Sequence, residues 1–375
     1  MIIQSKENYE NSEHVVLTLD AGGTNLVFSA MKGACEIVDP HMLRCTPDNL
    51  DMLLKTINQG FREVASRVNS KIHAISFAFP GPANYRLGII GDLPNLPAFR
   101  GGVPLGSYLQ EEFQLPVFIN NDANLYALGE YVFGFLPEIN GALESAGSEK
   151  RYRNLMGITL GSGFGCGIIL DGHLNVGDNS NGGEIWLMRN KLYPELCVDA
   201  SIGQQKIRRF YSELSGLSID KVPESREIFE IAKGELNGDK EAALRAFSLT
   251  GEIVGDALAN SSILVDGLIV IGGGLSGAHE FLLPAIMKEL NGTIEHLDGV
   301  QHPRIAFNAF NLCQDEDLQE FLEGDPRIIA VPFSEKSMHY DAASRTGVGI
   351  SKLGASRATA LGAYVFAVSN ATISP

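Results

Sequence analysis

Hydrophobic positions recur along this chain in two rhythms. The stretch HVVLTLD (14–20) is a nearly continuous apolar run of strand length, and after AGGTN (21–25) a second run follows, LVFSAMKG (26–33). Strand, glycine turn and strand predict a hairpin. The segment LDMLLKTINQGFREVASRVN (50–69) sets its apolar residues near helical spacing, and IHAISFAFPGPA (72–83) reads as a buried strand stopped by Pro80, Gly81 and Pro82. A short strand-like stretch at 116–119 then meets a helical pattern in FINNDANLYALGE (118–130).

The second half repeats the opening theme. NLMGITLGSGFGCGIILDGHL (154–174) is a strand, a glycine turn at Gly161, Ser162 and Gly163, and a strand closed by the hairpin turn Asp171-Gly172. Two glycine hairpins about 140 residues apart predict a duplicated fold. Helical, charged sequence occupies 203–260, GLIVIGGGLSGAHEFLLPAIMKEL (267–290) reads as buried strand, glycine turn and helix, and GASRATALGAYVFA (354–367) as a helix of small residues. Residues 136–153 read as a polar loop, and 301–345 carry no clear period. Strands alternating with helices indicate an α/β fold.

Composition narrows the class. A chain of 375 residues with 45% apolar and 20% charged residues buries a sizeable core and is long enough for two lobes. The first thirteen residues, MIIQSKENYENSE, lack the parts of a signal peptide, and no apolar run reaches spanning length, so a cytoplasmic protein without a membrane partner is expected. A net charge of −16 argues against a nucleic-acid partner. Five cysteines, with no CxxC pair, read as reduced thiols.

The glycine turns carry the chemistry together rather than singly. Asp20 ends a strand just before Gly22, Gly23 and Thr24, which sets a carboxylate able to hold a hydrated Mg²⁺ beside exposed backbone N–H donors and a hydroxyl. In Gly161, Ser162 and Gly163 the serine repeats the hydroxyl, and Gly272, Gly273 and Gly274 precede a helix whose N-terminus suits a nucleotide. A Rossmann site is the obvious rival, since GSGFGCG resembles GxGxxG, but that fingerprint opens a helix, whereas 167–174 reads as strand and turn. A Walker A loop is absent. In NNDANL, Asp122 is either a helix cap or a reactive carboxylate, and local sequence leaves both open.

In this order the motifs resemble those of the ROK family of sugar kinases, within the actin/hexokinase/Hsp70-like ATPases. The resemblance runs from Leu17 to about Ala367 through LDAGGTN, FPGPA, GDLPNLPAFRGGVPL (91–105), NNDANLYALGE, TLGSGFGCGIILDGHL, NGGE and IGGGLSG. It implies a two-lobed, ribonuclease H-like duplicated α/β fold with an interlobe cleft that closes on its substrates. The lobes fall at 14–127 with 355–375, and at 128–354, after a flexible 1–13. It implies ATP and Mg²⁺ as cofactors, a small-molecule sugar as partner, and a homo-oligomer.

The resemblance makes Asp122 the general base and Asn121 its sugar-binding neighbour, with Glu184 on sugar hydroxyls and Gly81 and Asn95 along the pocket wall. Asp20 would hold Mg²⁺ through water. Two departures stand out. The family follows its glutamate with a Gly-His pair and a cysteine-rich zinc site, whereas Trp186 and Leu187 stand in those places and only Cys197 remains of the cysteines. Zinc is therefore not expected. Asp199 takes the place of a second sugar-binding glutamate, one methylene shorter. Trp186 is read as a core side chain in preference to a platform for a pyranose face, and Cys197 as an ordinary buried thiol.

The expected activity is phosphorylation of a hexose or N-acetylhexosamine at its 6-hydroxyl. A ROK-type sugar-sensing regulator, which needs an N-terminal DNA-binding module, and a catalytically silent sugar-binding protein are the alternatives.

Overall fold

The computed structural model describes residues 3–21, 25–45, 48–81, 83–91 and 97–371. The chain divides into two compact units, Met1–Gly134 with Gly167–Gly183 and Leu353–Pro375, and Phe135–Cys166 with Glu184–Lys352. Residues 167–183, read above with the second lobe, group with the first unit.

In the first unit the predicted hairpin is β1 (Val15–Ala21) against β2 (Asn25–Lys32), antiparallel, with Asp20 opposite Val27. Short β3 (Cys35–Glu36) and β4 (His41–Arg44) both pair with β2. β5 (Ile72–Ala78) runs parallel to β1, a small hairpin of β6 (Ala83–Asn84) and β7 (Ile89–Ile90) follows, and β8 (Val117–Asn120) runs parallel to β5. The sheet order is β3-β2-β1-β5-β8.

Within residues 1–13, expected to be flexible, Lys6–Glu10 form a helix, α1, whose Tyr9 is fully buried. The Tyr9 hydroxyl lies 2.6 Å from Ser369 Oγ in the C-terminal helix Ala355–Ala371. One aromatic side chain in an otherwise polar segment is too weak a periodic signal to predict this.

The helices are α2 (Leu50–Arg67), capped by Asn49, α3 (Leu105–Phe113) and α4 (Asp122–Val132). Phe28, Phe61, Phe77, Phe79 and Phe99 form a chain of ring contacts at 5.1–6.3 Å in the core between sheet and helices. The C-terminal helix packs on α4 with almost no gap. A Cβ on Gly129 would lie 2.0 Å from the Ala358 carbonyl oxygen, and one on Gly362 would lie 1.8 Å from that of Leu125. The small-residue pattern read in 354–367 is what permits this approach.

The second sheet has the order β11-β10-β9-β12-β18-β15, where β9 is Leu155–Leu160, β10 Phe164–Leu170, β11 His173–Leu174, β12 Leu268–Gly272, β15 Asn308–Asn311 and β18 Arg345–Ile350. The remaining strands are two outlying hairpins, β13 (Thr293–Glu295) with β14 (Gln301–Pro303), and β16 (Pro326–Ala330) with β17 (Ser337–Asp341). Both sheets thus start from a hairpin and continue through parallel strands, which is the duplication anticipated from the two glycine hairpins.

Two readings need correction here. Residues 136–153 are not all loop, since Phe135–Ser145 form α5 with Phe135, Leu136, Ile139 and Leu143 buried along one face. Pro137 obscured the pattern but sits in the first turn, where a missing N–H costs nothing. The aperiodic 301–345 holds β15, the helix Asp315–Glu323, and the β16/β17 hairpin, whose residues are nearly all exposed on both faces and so show no alternation. Helices at Gln204–Ser215, Ser225–Lys233, Lys240–Val265 and His279–Leu290 match the helical stretches read from sequence.

Candidate active site

In the first unit, the sheet delivers a carboxylate at the C-terminal end of two strands. β8 ends at Asn120 and α4 begins at Asp122, so the residue between them, Asn121, is the helix cap. Its Oδ1 accepts the backbone N–H groups of Ala123 at 2.8 Å and Asn124 at 3.4 Å. Capping therefore falls to Asn121, and Asp122 is the first helical residue. Beneath them Asn120 is 1% exposed, and its Oδ1 accepts from the Asn121 N–H at 2.8 Å and from Asn124 Nδ2 at 3.0 Å. These two bonds to Asn120 brace the backbone around Asp122, while Asn124 Oδ1 is itself buried without a partner among the described residues.

Asp122 itself is solvent-accessible on one side and enclosed by protein on the others. One carboxylate oxygen accepts the Ala123 N–H at 2.9 Å. Desolvation pushes its carboxyl above the usual carboxylate range, the hydrogen bonds from Ala123 and from its own N–H pull it back, and the Asp20 charge pushes it up further. Asp20 stands exposed at the end of β1. An exposed carboxylate whose field reaches a second one is a hard-oxygen donor suited to a hydrated divalent cation.

Gly81 and Asn121 come together around a residue that sequence reading missed. A Cβ on Gly81 would lie 3.1 Å from the Tyr85 hydroxyl and 4.0 Å from Asn121 Nδ2. The Tyr85 hydroxyl donates to the Phe79 carbonyl at 2.9 Å, which ties the PGP turn to the end of β5. No periodicity marked Tyr85, because β6 and β7 are only two residues each. Gly22, Gly23, Thr24 and Asn95 lie outside the described residues.

In the second unit, Gly161, Ser162 and Gly163 form a tight turn, closed by the Gly161 N–H bonding the Gly163 carbonyl at 3.0 Å. Two features brace it. The Phe164 N–H donates to Asp199 Oδ1 at 2.7 Å, and Gly203, at φ +117, lies so close that a Cβ there would be 2.7 Å from the Ser162 carbonyl oxygen. Asp199, expected on the sugar, thus spends one oxygen on the backbone N–H that follows the second glycine turn.

Gly273, at φ +91, packs against the same place, since a Cβ on it would lie 2.4 Å from the Leu160 carbonyl oxygen. The second and third glycine turns are therefore neighbours. Cβ atoms on Gly161, Gly274 and Gly277 would meet nothing within 4 Å, so these turns present open backbone faces of the kind that phosphates and a nucleotide require. The third turn does not lead straight into an α-helix as expected. A 3-10 segment, Gly274–Ala278, intervenes before the helix His279–Leu290.

Glu184 is half-buried at the start of a 3-10 turn, Ile185–Leu187. Its negative charge contributes, after burial, to pushing the Cys166 thiol on β10 up to about 12. Trp186 is not a core side chain. It is half-buried, and its indole Nε1–H donates to the Glu184 carboxylate. Leu187 is exposed, and Cys197 is half-buried in a β-bridge with Arg189 rather than buried outright. The stretch is held together by Asn190, fully buried, which accepts from the N–H groups of Leu192 at 3.0 Å and Tyr193 at 3.1 Å and donates to Ser201 Oγ at 2.9 Å.

Two mixed sheets, each with an antiparallel hairpin followed by parallel strands, give an α/β protein consistent with the two-lobed sugar-kinase and actin-like ATPase fold. The ROK family model matches residues 16–309, and the chain belongs to the ROK family. It is 28% identical over 323 residues to a glucokinase of Halalkalibacterium halodurans, covering 80% of this chain and 89% of that one. It is also 28% identical over 306 residues to an N-acetyl-D-glucosamine kinase of Photobacterium profundum, covering 76% and 92%. Among solved structures, a glucokinase of Parabacteroides distasonis superposes with a TM-score of 0.88 at 48% identity over 96% and 99% of the two chains. At 19% identity the fold also matches a ROK glucokinase of Streptomyces griseus in complex with glucose and AMPPNP, with a TM-score of 0.58 over 93% and 98%. Among the described residues no helix is long and apolar enough to cross a membrane.

Proposed function

We propose that this chain transfers the γ-phosphoryl group of ATP to the 6-hydroxyl of a hexose or N-acetylhexosamine. The observation that carries the reading is the division of labour at the start of α4. Asn121 satisfies the free helix N–H groups, which leaves the adjacent, water-accessible Asp122 carboxylate available for chemistry. A sugar hydroxyl is a weak nucleophile. Asp122 accepts its proton as the hydroxyl oxygen bonds to the γ-phosphorus and the bond to the ADP oxygen breaks, a role generally worth ~10²–10⁴ in rate. The raised carboxyl of Asp122 suits a base that must hold the proton it takes.

The open faces at Gly161, Gly274 and Gly277 fit a nucleotide and its phosphates, as the AMPPNP complex of the Streptomyces griseus relative supports. Asp20 fits a Mg²⁺ ion held through water, which when bound supplies charge neutralisation on the phosphates. Gly81, Asn95, Asn121 and Glu184 are assigned to the sugar, and Ser162 with the first and second turns to phosphate. Similarity at the same level to a glucokinase and to an N-acetyl-D-glucosamine kinase supports an acceptor from either group.

A coupled assay of ADP release over a panel of hexoses and N-acetylhexosamines tests the reading. At least one sugar is expected to stimulate ATP turnover, and Asp122→Asn is expected to lower kcat by ~10²–10⁴ while calorimetry still detects sugar binding. If no sugar stimulates turnover by the wild type, the reading fails. If Asp122→Asn turns over like the wild type, Asp122 is not the base.

A further inference from the structure

We infer that Trp186 is a positioning residue of the sugar site, holding the Glu184 carboxylate in the orientation that meets the sugar hydroxyls. The inference rests on the kinase reading for Glu184 and adds to it a residue at the point where this chain departs from the Gly-His pair that the sequence resemblance leads one to expect. The geometry is local and specific. Glu184 precedes the 3-10 turn Ile185–Leu187, whose backbone closes through the Leu187 N–H to the Glu184 carbonyl at 3.2 Å and the Met188 N–H to that of Ile185 at 3.0 Å. That turn fixes the two-residue offset between the acid and the indole. Ile185, buried at 7% exposure, anchors it.

A glutamate has three rotatable side-chain bonds and, ionised, about four acceptor sites. The indole N–H occupies one site on Oε2, so the carboxylate is held in one rotamer with its other sites left for hydroxyl donors. Without that donor the carboxylate samples more orientations, and ordering it falls on the arriving sugar. The cost appears in binding rather than in the phosphoryl-transfer step, because Glu184 contacts the sugar alike before and during reaction.

Trp186→Phe keeps the ring and removes the N–H, whereas Trp186→His offers a smaller ring with an N–H. For the active sugar, Trp186→Phe is expected to raise KM by roughly tenfold to a hundredfold, the range for losing one hydrogen bond to a charged group, with kcat changed by less than about threefold. Trp186→His is expected to recover part of that loss. A side chain that only fills space gives the opposite ranking, with Phe the better replacement.

Trp186 is the only tryptophan in the chain, so intrinsic emission reports it alone. Glu184→Gln is expected to move the emission maximum of the ligand-free protein, and saturating sugar to move that of the wild type. A wild-type KM in Trp186→Phe, a Phe variant better than the His variant, or emission indifferent to Glu184→Gln overturns the assignment. Absence of turnover by the wild type overturns the kinase reading instead, and the emission of ligand-free Glu184→Gln still decides the contact.

Discussion

Asp122 and Glu184 are two acids held in opposite ways. Asp122 begins a regular helix at the end of a sheet strand, capped by its neighbour and backed by a buried amide pair, Asn120 and Asn124. Glu184 sits in a stretch from 184 to 201 whose only regular structure is two 3-10 turns, tied by Asn190 and by one indole N–H. In the first case secondary structure sets the geometry and side chains refine it. In the second the side chains set it, so on the proposed sugar-binding role of Glu184 one substitution there is expected to change which hydroxyls are met.

The largest effect that bears on this contrast is expected at Gly362. A methyl group there would collide with the Leu125 carbonyl at 1.8 Å, and two rigid helices have no flexible side chain to yield. Gly362→Ala is expected to cost about 3 kcal/mol in denaturant unfolding and to reduce kcat, since α4 carries Asp122 at its first residue. A stable, fully active Gly362→Ala protein would show that α4 does not depend on this close packing.

The second region breaks more gently. Asn190→Ala leaves the partly buried N–H groups of Leu192 and Tyr193 without their acceptor, at an expected cost of about 1 kcal/mol. The change is expected chiefly in KM for the sugar, because Asn190 braces the stretch between Glu184 and Asp199. Equal losses in kcat and in KM for ATP would mean that the stretch is not confined to the sugar.

The same contrast explains what could be read in advance. The Asp122 junction was legible because strand, cap and helix each leave a local signature, and the third glycine turn because Gly273 occupies a backbone conformation that other residues rarely adopt. The role of Asn121 as the cap was not, since Asn and Asp are equally good caps and only coordinates separate them. The bond from the Phe164 N–H to Asp199 was not legible because the two residues lie 35 positions apart in sequence. Trp186 was misread because an indole is sorted by its size before its one polar atom is considered. The hairpin Pro326–Ala330 with Ser337–Asp341 left no alternation because neither face is buried.

The smallest expected effect concerns pH and isolates Asp122 from Glu184. Burial and the Asp20 charge raise the Asp122 carboxyl above its ordinary value, near about 4 in unfolded chains. A base must be deprotonated to act, so kcat/KM is lost as pH falls through that raised pKa, and the acid limb should have its midpoint above about 4. For stability the sign reverses. The folded state takes up this proton more readily than the unfolded chain, so the ionised group destabilises the fold above its folded pKa, and Asp122→Asn should be the more stable protein there. Asn190→Ala, which disturbs only the second region, should leave the acid limb where it is. A limb that moves with Asn190→Ala and not with Asp20→Asn would remove Asp122 from the reaction.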